Sequence, residues 1–228
     1  MKISYPVENG ETQKALQSFL QKLLSEQFID ILLVPMRTPS GTVTPALVSD
    51  PKMLEFADPL APVLPVNAAT LAGQVSMRKP RPKVGAVLRS CEMRALVELV
   101  KFQQASLEDM LLISVDCAGT YGVPEYIKLS TINGQQKDDL WKELFTAALM
   151  RPEIPQDGLR QACKMCTQPI FDRAQIIIEL MQGNFETEMI ISLPDEMGGK
   201  LGFNPAEAGQ RAAVVEKLSK AHSVVREK

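Results

Sequence analysis

The sequence predicts an α/β fold: a largely parallel sheet flanked by helices, with a late hairpin and a C-terminal helix. Two observations indicate this class. In the middle of the chain, short apolar runs that suit buried strands alternate with amphipathic segments that suit crossover helices. The 228 residues are 45% apolar and 23% charged, which is the balance of a globular domain with a substantial core. We therefore expect residues 1–228 to form a single domain.

The N-terminal third is predicted to contain two helices and two strands. Glu11–Gln27 has leucines and a phenylalanine at three- and four-residue spacing, which is typical of an amphipathic helix. The apolar run Ile29–Val34 stops at a proline and predicts a buried strand, and Thr42–Val48 predicts a second strand. Pro51–Pro65 contains four prolines and is expected to be irregular. Asn67 is expected to cap a helix that ends near residue 77.

The middle of the chain gives the most regular pattern. Val84–Leu88 predicts a strand, Glu92–Phe102 a helix and Met110–Val115 the next strand. Because the connection between the two strands is helical, they are expected to be parallel neighbours. Asp138–Met150 predicts a further helix with an apolar face.

The C-terminal part is predicted to end in a hairpin and a helix. Ala174–Leu180 and Glu188–Leu193 are strand-like and are expected to pair, and the glycine-rich Glu196–Gly202 is expected to be a loop. Asn204–Pro205 has the order of a cap residue and a first-turn proline, which predicts the start of the last helix. This helix, residues 204–228, is also a candidate element for docking on a partner.

Charge and hydropathy exclude several classes of protein. The chain has 25 cationic and 27 acidic side chains, a net charge of −2, and only 5% aromatic residues, so a nucleic-acid partner is not expected. No apolar run approaches the roughly 20 residues of a membrane span. The N-terminus has no apolar signal core, so we expect a cytoplasmic protein. In that reducing compartment, grouped cysteines indicate metal or redox chemistry more often than disulfides.

Four cysteines carry the strongest functional indication. Cys91 follows one predicted strand and Cys117 the next, and the carboxyl ends of neighbouring parallel strands meet at the ligand-binding edge of a sheet. Cys163 and Cys166 form a C-x-x-C motif whose two thiolates would complete a four-sulfur site. The single histidine, His222, lies near the C-terminus, so a histidine-based triad or a histidine-rich zinc site is excluded from the body of the chain. Four thiolates suit a tetrahedral zinc ion or an iron–sulfur cluster.

The spacing of the cysteines leaves alternatives open. Cys91 and Cys117 are also compatible with small buried core residues, and a C-x-x-C also occurs in thioredoxin-like dithiol sites, although here it does not follow an early strand. We expect the helix N-terminus and the flanking Arg89 and Arg94 to lower the pKa of the Cys91 thiol. Asp116 is expected to accept a hydrogen bond in the turn beside Cys117.

Three blocks of sequence resemble one protein family. They are Val84–Leu99 (VGAVLRSCEMRALVEL), Leu112–Tyr121 (LISVDCAGTY) and Ala162–Cys166 (ACKMC). In order and approximate spacing they are similar to the beta subunits of coenzyme F420-reducing hydrogenases and related dehydrogenases, such as the formate dehydrogenase beta subunit. The resemblance covers about residues 60–180, and the chain has none of the ferredoxin-like C-x-x-C-x-x-C repeats that many relatives carry.

The resemblance implies electron transfer. It implies that Cys91, Cys117, Cys163 and Cys166 ligate one 4Fe–4S cluster, and that the chain relays electrons between other subunits of a larger oxidoreductase complex. That complex would be of the hydrogenase, formate dehydrogenase or heterodisulfide reductase type. An electron-relay subunit is favoured over a stand-alone enzyme.

Two alternatives accompany this hypothesis. The first is a flavin subunit that binds FAD and exchanges electrons with coenzyme F420 or a partner. Its contacts would be Asn67, Thr70, Arg89, Gly119 and Thr120, because small polar residues and open backbone at strand ends can hold a ring and phosphates. Gly119 equally suits a turn with positive φ. The second alternative is a zinc-stapled adaptor subunit without redox chemistry.

Overall fold

The computed structural model describes residues 1–79, 82–132, 135–136, 139–152, 156–182, 184–201, 205–206 and 211–226. The strands of this part of the chain are β1 (Lys2–Pro6), β2 (Ile31–Arg37), β3 (Val43–Val48), β4 (Val84–Arg89), β5 (Met110–Val115), β6 (Thr131–Ile132), β7 (Gln135–Gln136), β8 (Ile176–Glu179) and β9 (Glu188–Ser192). The α-helices are α1 (Thr12–Ser25), α2 (Ala69–Ser76), α3 (Ser90–Lys101), α4 (Val123–Ser130), α5 (Leu140–Met150), α6 (Gln161–Lys164), α7 (Asp195–Leu201) and α8 (Arg211–Arg226), and Pro51–Phe56 forms a 3₁₀ helix.

One seven-stranded mixed sheet organises the fold, in the order β1-β9-β8-β5-β4-β2-β3. The central pairs β2–β4, β4–β5 and β5–β8 are parallel, whereas β3 and β9 pair antiparallel with their neighbours. β8 and β9 form the expected late hairpin. The predicted α/β fold with a largely parallel central sheet and flanking helices is therefore confirmed.

Helices cover both faces of the sheet. On one face, α1 and α5 contribute Phe19, Trp141 and Phe145 to the larger apolar cluster. On the other face, α2 and α3 pack on the apolar side chains of β4 and β5, with Met93 and Leu96 fully enclosed. All six residues of β4 are buried, which is why this strand is a nearly continuous apolar run in the sequence.

Two predicted boundaries are wrong at prolines. The strand predicted to stop before Pro35 continues to Arg37, because Pro35 faces Pro45 across the β2–β3 pair and β2 has no parallel neighbour beyond Leu33. A proline is tolerated where no ladder bond from its nitrogen is required. The last helix does not begin at Pro205, which instead pairs with Ile3.

Other differences concern segments predicted to be irregular. Asp195–Leu201 is a helix rather than a loop, and Gly202 lies outside the described residues. The proline-rich stretch after residue 50 opens with the 3₁₀ helix, whose first turn is capped by the Asp50 carboxylate at 3.0 Å from the Lys52 N–H. Asn204 and Asp138, both predicted helix starts, also lie outside the described residues.

No helix in the part of the chain that the structure describes combines the length and apolar character required to cross a membrane.

Candidate functional site

The ends of β4 and β5 bring the first two cysteines to one edge of the sheet. Cys91 is the second residue of α3, which begins directly after β4, and Cys117 is the second residue after β5. The two strands are paired in parallel along their full length, with Arg89 opposite Val115. The expected meeting of Cys91 and Cys117 at the carboxyl edge of the sheet therefore follows from this register.

Backbone hydrogen bonds hold the C-x-x-C segment at the same carboxyl edge of the sheet. The Arg160 N–H donates to the Thr120 carbonyl at 2.9 Å, and the Cys117 N–H donates to the Pro169 carbonyl at 3.1 Å. These bonds flank the segment on both sides and attach it to the chain around Cys117. Within the segment, Cys163 lies in the single turn of α6, and the Cys166 N–H donates to its carbonyl at 3.2 Å.

All four cysteines line one cavity of about 540 Å³. Cys91 is exposed, whereas the other three are half-buried, and none is in a disulfide. Four of the five residues predicted as flavin contacts line the same cavity, namely Asn67, Arg89, Gly119 and Thr120. Thr70 does not line it and is exposed on α2.

Two of the sulfurs already have polar neighbours. The Thr120 hydroxyl lies 3.2 Å from the Cys163 sulfur, and the Arg89 guanidinium lies 3.9 Å from the Cys117 sulfur. A guanidinium and a hydroxyl at these positions stabilise negative charge on the sulfurs.

A buried carboxylate holds the helix ends that frame the cavity. Glu92 accepts from the Arg89 N–H at 3.0 Å and from the Ala68 N–H at 2.8 Å, and so links the starts of α2 and α3. The Arg89 guanidinium donates to the Ala61 carbonyl. The Asn67 side chain accepts from the Ala69 N–H at 3.0 Å, but the cap position of α2 is Ala68, one residue later than predicted.

The prediction of a lowered thiol pKa at Cys91 is wrong for the free side chain. Desolvation by the surrounding protein, the largest cause, acts together with the neighbouring charges of Cys117 and Glu92 and against Arg89, and the net effect raises the pKa of Cys91 to about 11 although part of its side chain is exposed. Burial also raises the pKa of Cys117, and the nearby positive charge of Arg89 offsets only part of this rise. These thiols are therefore protonated near neutral pH, and binding of a metal centre would release their protons.

The C-terminal helix contributes contacts that sequence reasoning missed. His222 Nδ1 lies 2.8 Å from the Cys166 carbonyl oxygen, and the Ser219 hydroxyl donates to the Thr167 carbonyl at 2.8 Å. The sequence places the single histidine near the C-terminus and does not indicate this contact. One signal for burial of His222 was available, because His222 lies four residues after Leu218 and therefore on the same helix face, which is buried. Docking of this helix on a partner remains a prediction.

Asp116 is not the turn acceptor that the sequence predicts. Its carboxylate accepts from the Arg211 guanidinium at 2.6 Å and from the Leu180 and Met181 N–H groups at 3.1 Å. Arg211 also pairs with Asp172 at 2.7 Å. Asp116 therefore anchors the start of α8 beneath the cysteine cavity.

The cavity is electrostatically positive. Arg89, Arg94, Arg160 and Arg226 line it, and no Asp or Glu does so among the residues that the structure describes. Within the same described ranges, no three His, Cys, Asp or Glu side chains are close enough together to ligate one metal ion. The four cysteines line one shared cavity, and its positively charged lining favours an anionic occupant.

Gly119 is expected to be sensitive to substitution. Its φ is +120°, and an added Cβ would lie 3.2 Å from the Leu159 methyl carbons and 3.6 Å from the Cys163 Cβ. We expect Gly119→Ala to lower the free energy of unfolding by about 1–3 kcal/mol, measured by urea denaturation. The matched control is Gly122→Ala, where φ is −67° and a Cβ meets no atom within 4 Å. Equal stability of the two variants would contradict the prediction.

Comparison with known proteins shows the fold. No family model matches the sequence. Among solved structures, a chain of the F420-reducing [NiFe] hydrogenase complex from Methanosarcina barkeri, from a study of xenon derivatization, is similar with a TM-score of 0.69 and 12% identity. The match covers 100% of this chain and 91% of that chain. At this identity, the likeness establishes that the two chains share a fold over this chain's whole length.

Proposed function

We propose that this chain is an electron-transfer subunit that carries one 4Fe–4S cluster within a larger oxidoreductase complex. Cys91, Cys117, Cys163 and Cys166 would hold the cluster. The observation that carries the proposal is that four cysteines from three separate parts of the chain line one cavity at the carboxyl edge of the sheet. The shared fold with a chain of a hydrogenase complex supports it.

The donor set favours a cluster over a single zinc ion. A tetrahedral zinc site brings its four sulfurs to about 3.8 Å from one another, given the zinc–sulfur bond length. In a 4Fe–4S cluster each thiolate binds a different iron atom, so the four sulfurs surround a volume instead of converging on one point. The cysteines here line one cavity of about 540 Å³, which suits ligands that surround a volume.

The charges around the cavity suit this occupant. A 4Fe–4S core with four thiolates carries net negative charge, and four arginines line the cavity. When bound, the cluster supplies one-electron storage. The Thr120 hydroxyl beside Cys163 and the Arg89 guanidinium beside Cys117 would favour the more negative, reduced state of a bound cluster, since hydrogen bonds and cations near the sulfurs raise a cluster's reduction potential.

A relay requires a donor and an acceptor, so the proposal includes partner subunits. The similar chain belongs to a hydrogenase complex, which supports the assignment of this chain to a complex of that general class. Coenzyme F420, formate or a heterodisulfide as the ultimate substrate remain predictions from the sequence resemblance.

One observation favours the flavin alternative as a second candidate. The cavity volume of about 540 Å³ falls in the range of pockets that hold cofactor-sized ligands. Asn67, Arg89, Gly119 and Thr120 line this volume together with the cysteines, so FAD would lie close to the cluster.

Metal and flavin analysis of anaerobically purified protein tests these assignments. We expect about four iron and four sulfide per chain and a broad absorption near 400 nm. One zinc per chain in a colourless protein would refute the cluster and support the zinc-stapled adaptor. Release of one FAD per chain on acid precipitation, together with iron, would support the second candidate, and a protein without iron would overturn the relay.

A further inference from the structure

Three arginines on the open side of the cysteine cavity form a positively charged surface. Arg94 on α3, Arg160 just before α6 and Arg226 at the end of α8 all line the cavity, and we call them the arginine rim. Arg160 and Arg226 are exposed and Arg94 is half-buried. In the described ranges none of the three makes a salt bridge, although Arg94 donates to the Gln168 side chain and Arg160 to the Leu64 carbonyl.

The arginine rim differs from several other cationic positions on the surface. Lys14, Lys101 and Lys128 each pair with a glutamate three residues earlier in the chain. Those charges are compensated locally, whereas the rim concentrates cations from three elements around one opening. Such an uncompensated field attracts an acidic partner and steers its approach.

An exposed apolar residue at the same opening indicates a protein partner. Val66 is 54% exposed and, with the exposed Pro65, lines the cavity beside the arginines. A small anion would need only the guanidinium groups. A protein face would also cover the valine, and an apolar centre with arginine is typical of protein interfaces.

We propose that the arginine rim is the docking surface for an acidic electron-carrier protein. The inference rests on the proposed function, because Cys91 is the exposed cysteine and would be the point where the cluster comes nearest to the surface. Electron transfer weakens steeply with distance, so a carrier must dock there. With the proposed cluster bound, one electron would pass from the reduced iron–sulfur centre of the carrier to the oxidised 4Fe–4S cluster held by the four cysteines. The carrier is oxidised, the cluster is reduced, and no bond or proton is transferred.

Binding can be measured without turnover. The probe is oxidised plant-type ferredoxin, an acidic 2Fe–2S protein, and its affinity for the immobilised iron-loaded chain is measured by surface plasmon resonance. We expect a Kd that rises steeply between about 20 mM and about 300 mM NaCl. Arg226→Glu and Arg160→Glu are each expected to raise the Kd about tenfold at low salt. The control Lys52→Glu, with the same charge change on an exposed residue outside the cavity lining, is expected to change it less than about twofold.

Electron transfer from reduced ferredoxin is then followed by stopped flow, with iron content and visible absorption recorded for every variant. A wild-type cluster that accepts electrons from the methyl viologen radical but not from ferredoxin would overturn the docking proposal and leave the relay intact. Equal ferredoxin affinities for Arg226→Glu, Arg160→Glu and wild type would also overturn the docking proposal. Pyrophosphate binding that is lost in Arg160→Glu and Arg226→Glu, by a wild-type protein that does not bind ferredoxin, would assign the rim to a small anion instead. Absence of iron would overturn the proposed function itself.

Discussion

Replacement of Cys163 by serine is expected to remove most of the iron from the protein. Cys163 lies in the single turn of α6, with its sulfur 3.2 Å from the Thr120 hydroxyl. A serine hydroxyl ionises far less readily than a thiol and is a poor ligand for iron, so only three thiolates would remain. We expect the iron content to fall from about four to below about one per chain, with loss of the absorption near 400 nm, measured by iron analysis and visible spectroscopy.

The control must separate ligand loss from unfolding. Met165→Leu changes a half-buried residue between the two cysteines of the motif and conserves volume, so its iron content is expected to match wild type. Cys91→Ser alters the exposed cysteine and is expected to lose iron while the far-ultraviolet circular dichroism of the folded chain persists. Wild-type iron in Cys163→Ser would show that the assigned ligand set is wrong.

The elements with a strong local pattern could be predicted from the sequence. β5 has the predicted bounds Met110–Val115, and β4 extends the predicted strand by one residue, because strands buried on both faces are continuous apolar runs. β1 at the sheet edge was not predicted, because an alternating pattern in only five residues that end in a proline is a short signal. The four residues of α6 are too few to show a helical period. These shorter elements depend on tertiary contacts that have no local pattern.

The residues of the candidate site also differ in how far the sequence predicts their positions. The meeting of Cys91 and Cys117 follows from a general rule about strand ends and could be predicted. The contributions of Arg160, Arg226 and His222 could not, because they depend on how α6 and α8 fold back over the sheet. Thr70 was selected as a small polar residue near a helix start, yet α2 presents it to solvent.

Replacement of Arg211 by methionine is expected to cause the largest loss of stability. The Asp116 carboxylate is completely buried, and Arg211 binds it through two nitrogens, Nη2 at 2.6 Å and Nε at 3.0 Å. Among the residues that the structure describes, removing the cation leaves a buried carboxyl group with the Leu180 and Met181 N–H groups as its remaining hydrogen-bond partners. A buried pair broken on one side loses about 3–5 kcal/mol, which urea denaturation of the iron-free chain would measure.

The same substitution is expected to loosen the cysteine site. Arg211 anchors α8, and this helix carries Ser219 and His222, which contact the C-x-x-C segment and the residue after it. Faster hydrogen exchange at residues 163–168 should therefore accompany the loss of stability. The matched control is Asp172→Asn, which removes the other partner of Arg211. Because the Asp172 side chain is 59% exposed, its loss is expected to cost less than about 1 kcal/mol. Equal denaturation midpoints for Arg211→Met and Asp172→Asn would show that the buried pair does not hold α8 over the site.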